Sequence, residues 1–106
     1  MAYIGGVQAV LTALVEPRRR EILRLVRDEE LTAGSIASRF PDVARPTVSQ
    51  HLKVLRGAGL VAERREGTRR FYRARPDALA ELHAFVAGFW DNRLAALQRA
   101  LDEEKT

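Results

Sequence analysis

The chain has 106 residues, 46% hydrophobic and 30% charged, the size of one small domain with limited surface to bury as a monomer, so extra burial through dimerisation is expected. Its 18 Lys and Arg against 14 Asp and Glu give a formal charge of +4 and point to an anionic partner, while the absence of cysteine excludes disulfides, thiol redox chemistry and thiolate metal sites. No run approaches the about 18 apolar residues of a membrane span, and the opening MAYIGGVQAV has no basic stretch ahead of an apolar one, so a cytoplasmic protein without membrane contact is expected.

In chain order, residues Gly6 to Val15 read as a short apolar helix with Val7, Val10, Leu11 and Leu14 on one face. Pro17 starts a second helix over 17–29, with Ile22, Leu23, Leu25 and Val26 inward and a run of arginines outward. Leu31-Thr32 breaks it, and Thr32 caps a third helix running to Phe40. After a turn at 41–44, Arg45-Pro46 opens a fourth helix in which Val48, Leu52 and Leu55 form one buried stripe. Gly59 supplies a left-handed stop, with Leu60 positioned to fold back onto Leu55. Strands at 60–65 and 69–74 follow, joined by Glu66-Gly67-Thr68, and Pro76-Asp77 starts a last helix over 77–103. Along that helix Leu79, Leu82, Val86, Trp90, Leu94, Leu97 and Leu101 recur every three or four residues. The result is a single mainly α domain with a small β-hairpin, a winged helix-turn-helix extended by helices at both ends.

The segment RPTVSQHLKVLRGAGLVAERREGTRRFYRAR, residues 45–75, holds nine of the 18 cations against two acids, Glu63 and Glu66. Concentrated positive charge next to a helix with small polar side chains is the footprint of a double-stranded DNA face. Ser49, Gln50 and His51 are the candidates for base contacts, since Gln bonds adenine bidentately, Ser takes either edge and His donates to guanine acceptors. His51 adjoins the buried stripe, and a phosphate or a neighbouring carbonyl is its alternative partner. Thr47, Lys53 and Arg56 are expected at phosphates, together with the wing residues Arg64, Arg65, Arg69 and Arg70. The run Arg18-Arg19-Arg20 reads as a solvated helix face, with a DNA-backbone contact as the other reading.

At EPRRREILRLV, LTAGSIASRF and RPTVSQHLKVLRGAGLVAERREGTRRFYRA, with Phe89-Trp90 in the terminal helix, the chain resembles the ArsR family of bacterial winged-helix repressors. The likeness spans residues 7 to 101. It implies a homodimer built from the first and last helices, placing Val7, Val10, Leu11, Leu14, Val86, Phe89, Trp90, Leu94 and Leu97 at the interface. It also implies an imperfect palindrome as the DNA target and repression as the outcome. The family's metal sensors use cysteines beside the first helix of the helix-turn-helix, or spaced Asp, His and Glu ligands on the terminal helix. Here 31–40 has neither Cys nor His, and the terminal helix has Asp77, Asp91 and the single histidine His83. No metal or other cofactor is therefore expected, and the inducer does not carry over.

Enzyme readings find no support: there is no Gly-rich phosphate loop or paired His ligands, and Ser49 and His51, two apart on a helix, point to different faces. Phe85, Phe89 and Trp90 read as core or dimer interface in preference to a ligand pocket. A non-enzymatic alternative is a protein-interaction module whose basic wing binds an acidic partner. Against it, such a module has no use for Ser49, Gln50 and His51 on the exposed helix.

Overall fold

The computed structural model describes residues 6–104, with the side chains of Trp90 and Asp91 outside the description. Five helices and three strands run in the order α1 (Gly6–Leu14), α2 (Pro17–Leu25), β1 (Leu31–Thr32), α3 (Ala33–Ser38), α4 (Arg45–Gly57), β2 (Val61–Glu66), β3 (Arg69–Ala74) and α5 (Asp77–Glu104). α2 and α3 each start at a side-chain cap. The Glu16 side chain accepts the Arg18 N–H at 3.1 Å ahead of Pro17, and the Thr32 hydroxyl accepts the Ser35 N–H at 3.1 Å. α4 closes in a Schellman turn: Gly59 sits at φ +78°, its N–H donates to the Arg56 carbonyl, and the Leu60 N–H donates to the Leu55 carbonyl. In the hairpin, Gly67 takes φ +64° at the first position of a two-residue loop, the conformation a right-twisted ribbon favours there.

Two elements here differ from what the sequence pattern predicts. The sheet has three antiparallel strands in the order β1-β3-β2, not two: Leu31-Thr32, read as a break, pairs with Tyr72 and Phe71. And α2 ends at Leu25 instead of 29, because the Val26 carbonyl accepts the Ala74 N–H at 2.9 Å and so ties the helix end to β3. One N–H further on, Arg75 donates to the Leu60 carbonyl at 2.8 Å and fixes the wing's base to the end of α4.

The core lies where α1, α2, α3 and α4 meet the inner face of the sheet. Ile22, Val26, Ile36, Val48, Leu52, Leu55, Leu60 and Val61 are buried there with Tyr72. Val10 belongs to this core at 2% exposure, so its place in an interface stripe is corrected: it packs within its own chain. Leu14 is half-buried against the same core, whereas Leu11 stays 43% exposed. α5 begins packed on α1 through Leu79 and Leu82 and then leaves the body. From His83 on, every described side chain except half-buried Ala87 is exposed, including Phe85, Val86, Phe89, Leu94, Leu97 and Leu101. The expectation for Trp90 lies outside the described residues.

Candidate nucleic-acid interface

Burying Val48, Leu52 and Leu55 decides what α4 shows to solvent. Thr47, Ser49, Gln50 and Lys53 are exposed, and His51 is half-buried. Ser49, Lys53 and Arg56 recur at helical spacing along one side of α4, and across from them β2 and β3 present Glu63, Arg70 and Tyr72. Together these residues line a groove of about 260 Å³ between helix and wing. A second groove, about 350 Å³, runs from the start of α3 past Arg45 to Thr68, Arg69 and Arg70 at the wing tip. Arg45 is a contact candidate not evident from the side-chain pattern alone; its signal is its position at the opening of α4, where the basic segment begins.

Strand register sorts the wing cations into two groups. Glu63 lies opposite Tyr72 and Arg65 opposite Arg70 on the face that turns toward α4, while Arg64 lies opposite Phe71 on the other face. Glu63, mostly buried, accepts the Tyr72 hydroxyl at 2.9 Å and pairs with Arg56 at 3.1 Å and with Arg70 at 3.8 Å. The Tyr72 hydrogen bond, followed by the two guanidiniums, holds its carboxyl below the usual range, so it stays ionised and keeps Arg56 and Arg70 turned into the groove. This orienting acid was not assigned a role from the sequence. On the far face Arg64 is spoken for: it bridges Glu30 at 2.7 Å and Glu66 at 2.6 Å and stacks on Phe71 at 4.5 Å. Arg69 shares that ring at 5.1 Å but has no carboxylate within pairing distance among the described residues. Arg65 likewise has no ion pair there and faces Arg70 directly across the ribbon.

Arg20 is exposed and Arg18 and Arg19 are half-buried, yet each arginine of the run at 18–20 has a partner within the chain. Arg18 holds Asp42 at 2.6 Å and lies over the Phe40 ring, fixing the turn that leads into α4. Arg19 donates to the Ala13 carbonyl at 2.7 Å and meets His51 Nδ1 at 3.4 Å, and Arg20 donates to the Leu14 and Val15 carbonyls. Two cations thus satisfy the orphan carbonyls at the end of α1. An arginine cannot accept a proton bond, so the contact with Arg19 requires His51 Nδ1 to be the unprotonated nitrogen. Burial, followed by the Arg19 charge, pushes the His51 imidazole below its ordinary range. His51 is therefore neutral, with Nε2–H as its remaining donor, and is set back from Ser49 and Gln50.

Two helices joined by a tight turn, with the second exposed beside a basic hairpin, define a winged helix-turn-helix. A model described as a helix-turn-helix domain matches residues 14–64. The chain is 41% identical over 92 residues to the HTH-type transcriptional regulator Rv2034 of Mycobacterium tuberculosis, covering 87% of this chain and 85% of that one. It is 36% identical over 63 residues to the transcriptional repressor SdpR of Bacillus subtilis, covering 59% and 69%. Among solved structures it is similar to an ArsR-like transcriptional regulator from Rhodococcus sp. RHA1, with TM-score 0.70, 31% identity and 93% and 95% of the two chains covered. It is also similar to the homodimeric winged helix-turn-helix DNA-binding domain of Mb0332 from Mycobacterium bovis, with TM-score 0.65, 36% identity and 88% and 85% covered. The chain belongs to the ArsR family of transcriptional regulators.

Proposed function

We propose that this protein is a sequence-specific DNA-binding repressor that grips a near-palindromic operator as a homodimer. The observation that carries the reading is the Arg65–Arg70 pair. Like charges directly opposite on a hairpin destabilise it, and these two stand next to a groove floored by Ser49 and Lys53. Glu63 offsets part of that repulsion at Arg70, and a phosphate at the groove rim relieves the rest. Thr47, Lys53, Arg56, Arg65, Arg69 and Arg70 then hold the backbone, while Ser49 and Gln50 reach base edges in the major groove. His51 contributes through Nε2. The groove asks for an anion beside hydrogen-bonding groups at base-reading positions, which favours DNA over an acidic protein partner.

Dimerisation follows from α5. Phe85, Phe89, Leu94 and Leu97 are each more than half exposed on the part of α5 beyond its contact with α1, and Leu11 and Val86 extend the apolar face. A two-fold arrangement puts the two α4 helices about 34–36 Å apart, one turn of the duplex. Repression is favoured by relatives such as SdpR that carry it in their names. A gel shift with the DNA upstream of its own gene against a random duplex tests the reading: preference for the upstream DNA is expected, and equal affinity for both would refute it.

A further inference from the structure

Away from the DNA face, a cavity of about 450 Å³ opens between the end of α1, the outer face of α2, the end of β3 and the first turn of α5. Its floor is apolar, made by Leu14, Leu23, Pro76 and Leu79. Its mouth is cationic, with Arg20 and Arg24 on α2 and Arg27 just past its end, and no carboxylate among the described residues lines the space. The size falls within the range of about 300–1,000 Å³ typical of small-molecule sites, as does an apolar body with a few charged groups on one side.

The three arginines are not equivalent. Arg20 is engaged with the carbonyls at the end of α1, and Arg27 is paired with its neighbour Asp28 at 3.0 Å. The Arg24 side chain is exposed and has no hydrogen bond or ion pair among the described residues. An apolar hollow with a free guanidinium at its rim matches a molecule that has a hydrocarbon body and one anionic end. A second copy of the chain is a poorer occupant. Covering the mouth with its exposed apolar residues Phe85, Phe89, Leu94 and Leu97 would take the unpaired Arg24 guanidinium out of water against hydrocarbon.

We propose that this cavity binds a small aliphatic carboxylate, its chain on Leu14, Leu23 and Leu79 and its carboxylate on Arg24, and that occupancy alters DNA binding. The second part rests on the reading of the protein as a DNA-binding regulator. Coupling has a structural route: the walls belong to α1 and α5, which carry the dimer face, and to the end of β3, which is continuous with the wing. A ligand that fits one relative placement of these elements better than another shifts the population toward it.

The test is a methyl NMR titration of the full chain with octanoate, octanamide and octylammonium, followed by operator affinity with and without octanoate. Octanoate is expected to shift the Leu14, Leu23 and Leu79 methyls with a dissociation constant of about 1 mM or tighter. Octanamide and octylammonium should bind at least about tenfold more weakly, and Arg24→Gln should weaken octanoate alone by about five- to tenfold, the loss of one charge-assisted contact at an exposed rim. Saturating octanoate should change operator affinity by at least about threefold. Equal binding of all three probes, or shifts centred on Phe85, Phe89 and Leu97 instead of the cavity, would overturn the site. Binding with unchanged operator affinity would overturn the coupling. Because the titration contains no DNA, failure of the cavity is distinguished from failure of the DNA-binding reading by the gel shift of the unliganded protein.

Discussion

Arg64 and Arg69 carry the same formal charge and project from the same ribbon face, yet they should respond in opposite ways to removal in a DNA-binding assay. Arg69 has no carboxylate partner among the described residues, while Arg64 is neutralised by Glu30 and Glu66. A phosphate contact releases counterions and contributes about 0.9 to the slope of log affinity against log salt. A dimer has two wings, so Arg69→Ala should make that slope shallower by about 1.8 units. Across a fourfold rise in salt, from about 50 to 200 mM, wild type should then lose about tenfold more affinity than the variant. Operator and random duplex should be affected alike, because phosphates carry no sequence information. Arg64→Ala should change the slope by less than about half a unit, since no counterion is released where two carboxylates already serve the guanidinium. Its effect should appear as a lower melting temperature, through the loss of the pairs and of the stacking on Phe71. Fluorescence anisotropy with both duplexes over a salt series measures all of this. A large slope change for Arg64→Ala with none for Arg69→Ala would show that the partner geometry of the isolated chain does not govern which cations meet DNA.

Ser49→Ala and Gln50→Ala should each cost about 1–3 kcal/mol on the operator and leave random-duplex affinity nearly unchanged, read by competition binding. Phe89→Asp should turn the dimer into a monomer in sedimentation at micromolar concentration and abolish operator binding, while the helical circular dichroism of the body persists. Gly59→Ala should destabilise the fold by about 1–2 kcal/mol because its φ of +78° is unfavourable for any residue with a Cβ; the nearest atom to that Cβ, on Ala78, is 3.6 Å away, so the cost is conformational and not a clash. The depressed His51 value gives stability that is complete above its ordinary 6.5 and falls as pH drops below it, since the unfolded chain then binds the additional proton. Urea melts from neutral to mildly acid pH should show that loss in wild type and a flatter profile in His51→Gln, which keeps an acceptor for Arg19; parallel profiles would refute the assignment.

Much of the fold was legible because its determinants are local. The stripe Val48, Leu52 and Leu55, the cap at Thr32, the stop at Gly59 and the turn at Gly67 are all set within a few residues of where they act. What escaped depends on partners distant in sequence. Two residues, Leu31 and Thr32, carry no strand signal of their own and become β1 only because β3, some forty positions later, offers them Tyr72 and Phe71. α2 stops early for the same reason, its final carbonyl being claimed by Ala74. Val10 is a further case. Helical periodicity identifies an apolar face, but it does not say whether that face meets the chain's own core or another molecule, and here the stripe on α1 is divided between the two, with Val10 inward and Leu11 exposed.

The division of labour among the arginines was the least legible property, and it is the one on which function turns. A sequence supplies the number and spacing of cations, whereas their availability depends on where the acids fall in three dimensions. Arg18 is fixed by Asp42, 24 positions away, and Arg64 by Glu30, 34 positions away. Arg19 and Arg20, beside Arg18 in the same run, are occupied by main-chain carbonyls of α1. Glu63 does the opposite of quenching its neighbours: lodged against Tyr72, it stays ionised and draws Arg56 and Arg70 into the groove where phosphate is expected. Replacing it with Gln should separate these roles. The variant keeps an acceptor for Tyr72 but loses the charge that orients both arginines, and it also removes a negative charge from the DNA face. Random-duplex affinity should therefore rise through the added positive charge, while preference for the operator falls as Arg56 and Arg70 lose their fixed directions. Competition binding reads the ratio directly, and a Glu63→Gln protein that gained on both duplexes equally would show Glu63 to be only a repulsive charge and not a positioning one.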